Sequence, residues 1–285
     1  MIFLLIIRFD LFILTITKIC TKCRSMEKKN LRIFKYMAIQ KELKAPPISE
    51  ALIDIKVKLP KSFKIENLKA APERLTNNYP ILESQKFFRG IHKISDGKHH
   101  AITEEEGLNG FFYKSNDKKD IVQFRRDGFT YNRLHPYINW DYLIQRAKQT
   151  YPIYKEITKP EAITRLAVRY INHIKIPLPV GDLSEYFSDP PNIPDELPQN
   201  VLNFLNRVCL NGFDGNIRAN ITQSLKSETQ DIKSQIVMLL DIDVYKTINA
   251  RIEGDEIWEY FEKFREIKNK IFFKYITEKT VELFE

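Results

Sequence analysis

From residue 46 onward, two hydrophobic rhythms alternate along the chain. Ile48 to Leu59 carries apolar residues at Leu52, Ile53, Ile55, Val57 and Leu59, with Asp54, Lys56 and Lys58 between them. That period of two predicts a strand with one buried and one wet face. Residues 62–79 predict a helix broken at Pro72. Phe87 to Ile94 and His99 to Tyr113 predict two further strands, the second interrupted by Gly107 and Gly110, which mark a bulge or turn. Ser115 to Asp120 is a polar turn. Ile121–Arg126 and Phe129–Leu134 flank Asp127-Gly128, the pair that a type I′ hairpin turn requires. The rhythm then changes. Trp140, Leu143, Ile144, Ala147 and Tyr151 fall on one helical face behind a capping Asn139, with Pro152 expected to kink or end the helix.

The same order returns. Ala162 to Ile176 predicts a strand. Asp182–Phe187 and Gln199–Leu210 predict helices joined by a proline-rich loop. Ile217–Lys226 and Asp231–Tyr245 predict long strands around a polar turn, Ser227–Gln230. Asp255 is placed to cap a last helix with Ile257, Phe261, Phe264, Ile267, Ile271 and Tyr275 as its apolar stripe. Two marks share this period. Trp140-Asp141-Tyr142-Leu143 returns as Trp258-Glu259-Tyr260-Phe261, and Lys58-Leu59-Pro60 returns as Lys175-Ile176-Pro177. A repeat of about 120 residues follows. The expected fold is α+β: two tandem strand–helix–antiparallel strands–long helix repeats forming one curved antiparallel sheet with helices on one face. This is the architecture of a TATA-binding-protein-like duplicated saddle. The corresponding division is an N-terminal extension, 1–36, a first repeat, 37–160, and a second repeat, 161–285.

Charge changes the picture less than its total suggests. The net +8 is concentrated at the start, where residues 1–36 hold eight Lys/Arg against two acids, so the rest of the chain stands near +2. The bulk electrostatic case for a nucleic-acid partner mostly disappears with that segment, and nucleic acid is not the expected partner. Residues 1–19 are apolar, but Arg8 and Asp10 interrupt them, and no basic region or small-residue cleavage site frames a signal peptide. Three readings stand: a leader before a true start at Met37, a signal anchor held by Lys18, Lys22 and Arg24, or a soluble extension. The first predicts a cytoplasmic protein; a membrane partner enters only with the second, at the inner membrane. Cys20 and Cys23 lie in this segment without a βα context, so a redox motif is not read from them. Cys209, among Leu205, Val208 and Leu210, reads as buried packing.

Three segments carry a resemblance. Pro47-Ile48-Ser49-Glu50-Ala51-Leu52 opens the body. Arg165-Leu166-Ala167-Val168-Arg169-Tyr170-Ile171-Asn172 opens the second repeat. Phe272-Phe273-Lys274-Tyr275-Ile276-Thr277 lies near the end. Together they resemble a sporadically distributed family of uncharacterised prokaryotic proteins, over about residues 45–285. His173 stands where many members carry a basic residue. The resemblance implies a prokaryotic, mainly cytosolic chain beginning shortly before Pro46. It supplies no activity and no catalytic residue.

Candidate chemistry is sparse. Arg165 and Arg169 share one face of a predicted strand, where two guanidiniums suit a carboxylate or phosphate ligand. The plainer reading pairs them with Asp241 or Asp243 of a neighbouring strand. Asp241 and Asp243 also share a face and are weak metal candidates, with no third acid nearby. Asn172 points to the other face, where satisfying backbone near the strand end is its expected role. His99-His100 with Glu104-Glu105-Glu106 reads as a solvated hairpin, since adjacent strand residues face opposite ways. Arg125-Arg126 with Phe129 and Tyr131 interleaves charge and aromatics as single-strand binders do, and as amphipathic hairpins do. No P-loop, dinucleotide fingerprint, nucleophile elbow or zinc-protease motif occurs. No cofactor is implied. The expected function is a non-enzymatic binding or interaction protein with a protein or small-ligand partner, in an accessory system such as defence or toxin control. The rivals are a metal-dependent enzyme acting on a phosphate-bearing substrate, with Arg165 and Arg169 as anion clamp, and a nucleic-acid-binding saddle.

Overall fold

A computed structural model describes residues 38–95, 98–226, 235–250 and 256–285; for 87–106, 226 and 249–250 the description is of the backbone alone. The leader readings, the Cys20–Cys23 pair, the 227–230 turn and the Asp255 cap lie outside the described residues. So do the side chains of the His99-His100 and Glu104–Glu106 group.

The fold is α+β, with nine antiparallel strands in one sheet. The strands are β1 (Ile48–Lys58), β2 (Ile81–Ser95), β3 (Lys98–Lys114), β4 (Asp120–Arg125), β5 (Gly128–Leu134), β6 (Ala162–Pro177), β7 (Asn203–Phe213), β8 (Ile217–Lys226) and β9 (Gln235–Ala250). Their order is β2-β3-β4-β5-β1-β6-β9-β8-β7. Among the described residues four α-helices accompany them: α1 (Glu73–Thr76), α2 (Trp140–Thr158), α3 (Glu256–Tyr275) and α4 (Glu278–Glu282). The broken helix expected over 62–79 is a 3-10 turn, Ile65–Lys69, followed by α1.

Two compact units divide the chain. The larger comprises residues 46–180 and 193–271, and holds the sheet. One row of paired residues shows how its core is built. Val122, Tyr131, Ile53, Val168, Val244 and Ala219 stand opposite one another across β4-β5-β1-β6-β9-β8. All are fully buried. The alternation read from β1 therefore continues across the sheet, with one face apolar and the other charged. α2 packs on the apolar face, where Tyr154 meets Phe124 and Tyr151 meets Phe129 edge-on at 5.4 Å. α3 lies on the same face. Its Tyr260 hydroxyl accepts from Lys246, which stands in the row of Phe129, Ile55 and Leu166.

Asn139 caps α2 as expected, its side chain accepting the Tyr142 N–H at 2.8 Å. Pro152 does not end the helix, which continues to Thr158. Pro152 and Lys148 are both exposed, so water can satisfy the carbonyl that the missing proline N–H leaves free.

Three expectations need correction. Gln199–Leu210 is not helical: Asn203–Phe213 is the edge strand β7, paired along its length with β8. The apolar spacing of Leu202, Leu205 and Cys209 imitates a helical stripe, but an edge strand exposed on both faces has no alternation to display. Cys209 is accordingly exposed rather than buried. The β4–β5 hairpin turns one residue earlier than Asp127-Gly128 predicts. Arg125 pairs with Gly128, leaving Arg126 and Asp127 as the connecting residues, neither with positive φ. Gly128 is needed for another reason: a Cβ there would stand 2.3 Å from the Ile55 carbonyl oxygen of β1.

The smaller unit gathers residues 38–45, 181–192 and 272–285 of the described chain. Its strand-like contact joins Phe187 to Ile276. Thr277 caps α4, and the Thr280 hydroxyl donates to the Tyr186 carbonyl at 2.5 Å. Ala38 and Ala45 donate backbone N–H groups to Ile276 and Phe284.

Candidate functional site

The charged face of the sheet holds all four singled-out side chains. Arg165 donates Nη2 to both oxygens of Asp243, at 2.8 and 2.7 Å, and Nη1 lies 3.3 Å from Asp54. Arg169 grips Asp241 through Nε and Nη2, at 2.9 and 2.7 Å. Both reach diagonally. The residue directly opposite Arg169 is Asp243, yet Asp241 takes its fork. Arg169 thus makes the two-pronged fork that arginine favours, while Arg165 shares one nitrogen between both oxygens of Asp243 and turns another toward Asp54. Arg165 also lies over the Tyr245 ring, 4.6 Å from its centre. Asn220 adds a donor to Asp243 at 3.1 Å.

The network continues across β1 into the β4–β5 hairpin. Arg125 reaches Asp54 at 2.7 Å, the Thr130 hydroxyl at 2.7 Å and Asp127 at 3.0 Å. Thr130 donates to the same Asp54 oxygen. Lys56 closes on Asp127 at 3.0 Å, and Gln123 donates to Asn132, which donates to Glu50. Asp54, Thr130 and Asn132 are buried on a face that carries no helix of this unit. The long arginine stems cover them. Burial alone would lower the Arg125 pKa; Asp54 and Asp127 outweigh it and hold the guanidinium above its ordinary value. Burial likewise opposes Asp127, and Arg125 with Lys56 wins, keeping the carboxyl below the usual range. Exposure rises toward Arg169, whose side chain is 44% accessible against 15% for Asp241.

No cluster of three or more metal-ligating side chains exists among the described residues. Asp241 and Asp243 are each committed to a different arginine. Phe129 and Tyr131 are fully buried on the helix face, while Arg125 stands on the charged face, so they form no shared stacking platform. Asn172 is buried and its amide donates to the Leu240 carbonyl at 2.8 Å.

Two further constellations on the helix face escaped sequence reasoning. In the first, buried Asp120 receives the Tyr131 hydroxyl at 2.5 Å, Arg133 at 2.7 Å and the Tyr142 hydroxyl at 2.9 Å. Burial, with Asp120 as hydrogen-bond acceptor, drives the Tyr131 hydroxyl far above its ordinary pKa. Every oxygen is satisfied, which suits a structural tie between hairpin and helix. The Asp120–Arg133 pairing was latent in the hairpin register. In the second, Lys268 of α3 places Nζ 3.9 Å above the Tyr170 ring. The Tyr170 hydroxyl lies 3.0 Å from that of Tyr137. Burial, with Arg265 one turn earlier, lowers the Lys268 amine to about 7. Lys268 sits one position after Ile267 of the predicted stripe, so nothing in the apolar pattern distinguished it.

A scan against protein-family models and a search of curated proteins each return no match.

Proposed function

We propose that this chain is a binding protein that takes a protein partner on the charged face of its sheet. One observation carries the reading. A chain of ion pairs runs from Arg125 on β4 through Asp54 and Arg165 to Asp243 on β9, on the face opposite the two long helices, and beside it lies the more exposed Arg169–Asp241 pair. Acids and bases alternate there: Glu50, Asp54, Asp127, Asp241 and Asp243 stand among Lys56, Arg125, Arg165 and Arg169. Such a near-neutral mosaic suits another protein's mixed charges and does not suit a polyanion. The non-enzymatic reading is supported by the commitment of each candidate side chain to an internal partner.

The finer architecture belongs to the same proposal. The chain is read as a duplication, 37–160 and 161–285, curved into a saddle. In support, each half runs strand, 3-10 turn, antiparallel strands, long helix. The leading strands β1 and β6 are neighbours in the sheet, and Trp140 and Trp258 stand in the first turns of α2 and α3. A cytoplasmic setting fits the absence, among the described residues, of any helix long and apolar enough to cross a membrane.

The test is affinity purification of the tagged protein from its own cells beside an Arg169→Glu variant. A co-purifying protein lost with Arg169→Glu, at unchanged thermal stability, supports the reading. Partner recovery indifferent to both Arg169→Glu and Asp241→Lys sinks it. Turnover of nucleotides or RNA that requires Mg²⁺ or Mn²⁺ and disappears with Asp241→Asn would favour the enzyme reading instead.

A further inference from the structure

The two outermost strands of the sheet differ. β2 is blunted in the ways edge strands usually are: its sequence carries Glu83, Lys86, Arg89 and Lys93, and its pairing with β3 shifts register twice. β7 has neither defence. Arg207 is its one charge, no proline interrupts it, and it pairs with β8 without a shift from Asn203 to Asn211. No described strand lies beyond it. The ladder shows which backbone groups this leaves open. His173 donates its N–H to Pro47, so odd-numbered β6 residues bond toward β1 and even-numbered ones toward β9. Carried through the β9 and β8 registers, the alternation turns the N–H and C=O groups of Asn203, Leu205, Arg207, Cys209 and Asn211 outward. The side chains of Phe204, Asn206, Val208 and Leu210 stand on the helix face, opposite Leu225, Gln223, Ile221 and Ala219 of β8. One of those neighbours is unusual. Gln223 is only 2% exposed, yet neither its amide nitrogen nor its oxygen has a hydrogen-bond partner among the described residues. It stands directly opposite Asn206, which is exposed at the edge.

We propose that β7 is a homodimer interface, at which a second copy of this chain adds its own β7 antiparallel to the first. A two-fold axis normal to the sheet keeps each face continuous, and allows only registers centred on a residue. Centring on Asn206 places Phe204 opposite the second copy's Val208, and Leu202 opposite its Leu210, all on the helix face. Leu202 and Leu205 are 65% and 75% exposed, and both gain cover: Leu202 from Leu210, Leu205 from the aliphatic stem of Arg207. The outward backbone groups pair as Asn203 with Cys209 and Leu205 with Arg207. Taken from both sides, these pairs make about eight hydrogen bonds. On the axis Asn206 meets its own copy. Gln223, Asn206 and their two counterparts then form a row of four amides, which gives the buried Gln223 the partner it lacks. Centring on Arg207 instead sets two guanidiniums face to face. Centring on Val208 sets Phe204 against Gly212 and Leu210 against Asn206. Of the three, the Asn206 register matches apolar to apolar and amide to amide. β7 supplies both halves of that match, so the occupant is a second copy rather than an unrelated strand. The dimer stands or falls independently of a partner on the charged face.

Analytical ultracentrifugation of the full chain over a range of concentrations is the test, and the associated species should have twice the 33.7 kDa of one chain. Arg207→Pro deletes an outward N–H and leaves the bonds to β8 in place, a change that edge strands tolerate. Asn206→Asp sets two carboxylates against each other on the axis, and alters a residue that the single chain leaves exposed. Each should raise the dimer dissociation constant about tenfold or more, because like charges and lost ladder bonds across an interface are strongly unfavourable. Each should keep the far-UV circular dichroism of wild type. Asn203→Cys should form a disulfide with Cys209 of the second copy under mild oxidation, mapped by mass spectrometry, and adding Cys209→Ser should abolish it. A Cys209–Cys209 link instead overturns the Asn206-centred register. A monomer at every concentration overturns the proposal, as does a dimer indifferent to both Arg207→Pro and Asn206→Asp. A monomer whose Leu205, Arg207 and Cys209 amides resist hydrogen exchange overturns it too, and would mean that another segment covers the edge.

Discussion

Trp140 donates its indole N–H to both carboxylate oxygens of Glu262, at 2.9 and 3.0 Å, and so fastens the first turn of α2 to the middle of α3. The two residues lie 122 positions apart in the sequence, and their helices share one sheet face. Arg265 completes the arrangement by lying 5.6 Å from the centre of the Trp140 ring. Trp140 is only 4% exposed, so its N–H has no ready solvent substitute. Glu262→Ala should therefore cost about 1–3 kcal/mol, the penalty for a buried donor left unpaired. Urea unfolding with an unchanged m-value would measure it, and tryptophan emission would report the altered surroundings. Glu262→Gln keeps an acceptor and should cost clearly less.

The charged face predicts an unequal response from its two arginines. Arg165 is 23% accessible and joins two carboxylates, Asp54 and Asp243, on different strands. Removing it leaves both partly buried acids short of a partner. Arg169 is more exposed and serves Asp241 alone. Arg165→Gln should cost about 2–3 kcal/mol, between exposed and buried ion pairs. Arg169→Gln should cost about 0–1 kcal/mol. A double-mutant cycle between Arg165 and Asp243 should return a coupling above that of Arg169 and Asp241. Equal costs would mean that the accessible pair is held as firmly as the enclosed one.

Much of this face is legible in the amino-acid sequence. Alternation in β1, β6 and β9 places Asp54, Arg165, Arg169, Asp241 and Asp243 on strands, and period two places them on one side. Their diagonal pairing is not legible, because register between distant strands leaves no mark in composition. β7 shows the opposite failure. A strand at the sheet edge buries neither face, so Phe204, Leu205 and Val208 follow no two-fold rhythm and fit a helical template as well. The Asp120 cluster depends on Arg133 pointing into the core, where a charge is unexpected until Asp120 is known to stand opposite it. Lys268 is hidden for a related reason: a lysine beside an apolar stripe ordinarily reaches water.

Titration gives Lys268 a separate consequence for stability. Its folded-state pKa is lowered to about 7 while the unfolded chain keeps 10.5. Between those values the unfolded state binds more protons, so stability rises as pH increases through this window. Below pH 7 both states are protonated and the folded protein carries the full cost of an enclosed ammonium. Lys268→Met removes that cost. The variant should be more stable than wild type at pH 6, and the gap should narrow by pH 9. Thermal unfolding at several pH values checks it. A gap that does not change with pH would mean that the amine titrates normally.

Two glycines differ in what a side chain would meet: Gly128, with φ of 157°, combines backbone strain with a close approach, whereas Gly107 has the positive φ alone. At Gly128 a Cβ would lie 2.3 Å from the Ile55 carbonyl oxygen and 2.9 Å from the Lys56 Cα. Those atoms belong to β1, which is hydrogen-bonded on both sides and cannot withdraw. Gly128→Ala must therefore push two central strands apart, and should cost about 2–4 kcal/mol, in the range of severe core disruption. Gly107 has φ of 112° with nothing within 4 Å of an added Cβ. It sits beside a register shift between β2 and β3, at the outer end of the sheet. Gly107→Ala meets only backbone strain, about 1–2 kcal/mol, and should leave the central strands untouched. Hydrogen exchange distinguishes the two: protection should fall at Ile55 and Lys56 for Gly128→Ala, and only in β2 and β3 for Gly107→Ala. If both variants lose protection in β1, the strain at Gly107 spreads through the sheet, and the close approach at Gly128 is not what limits that position.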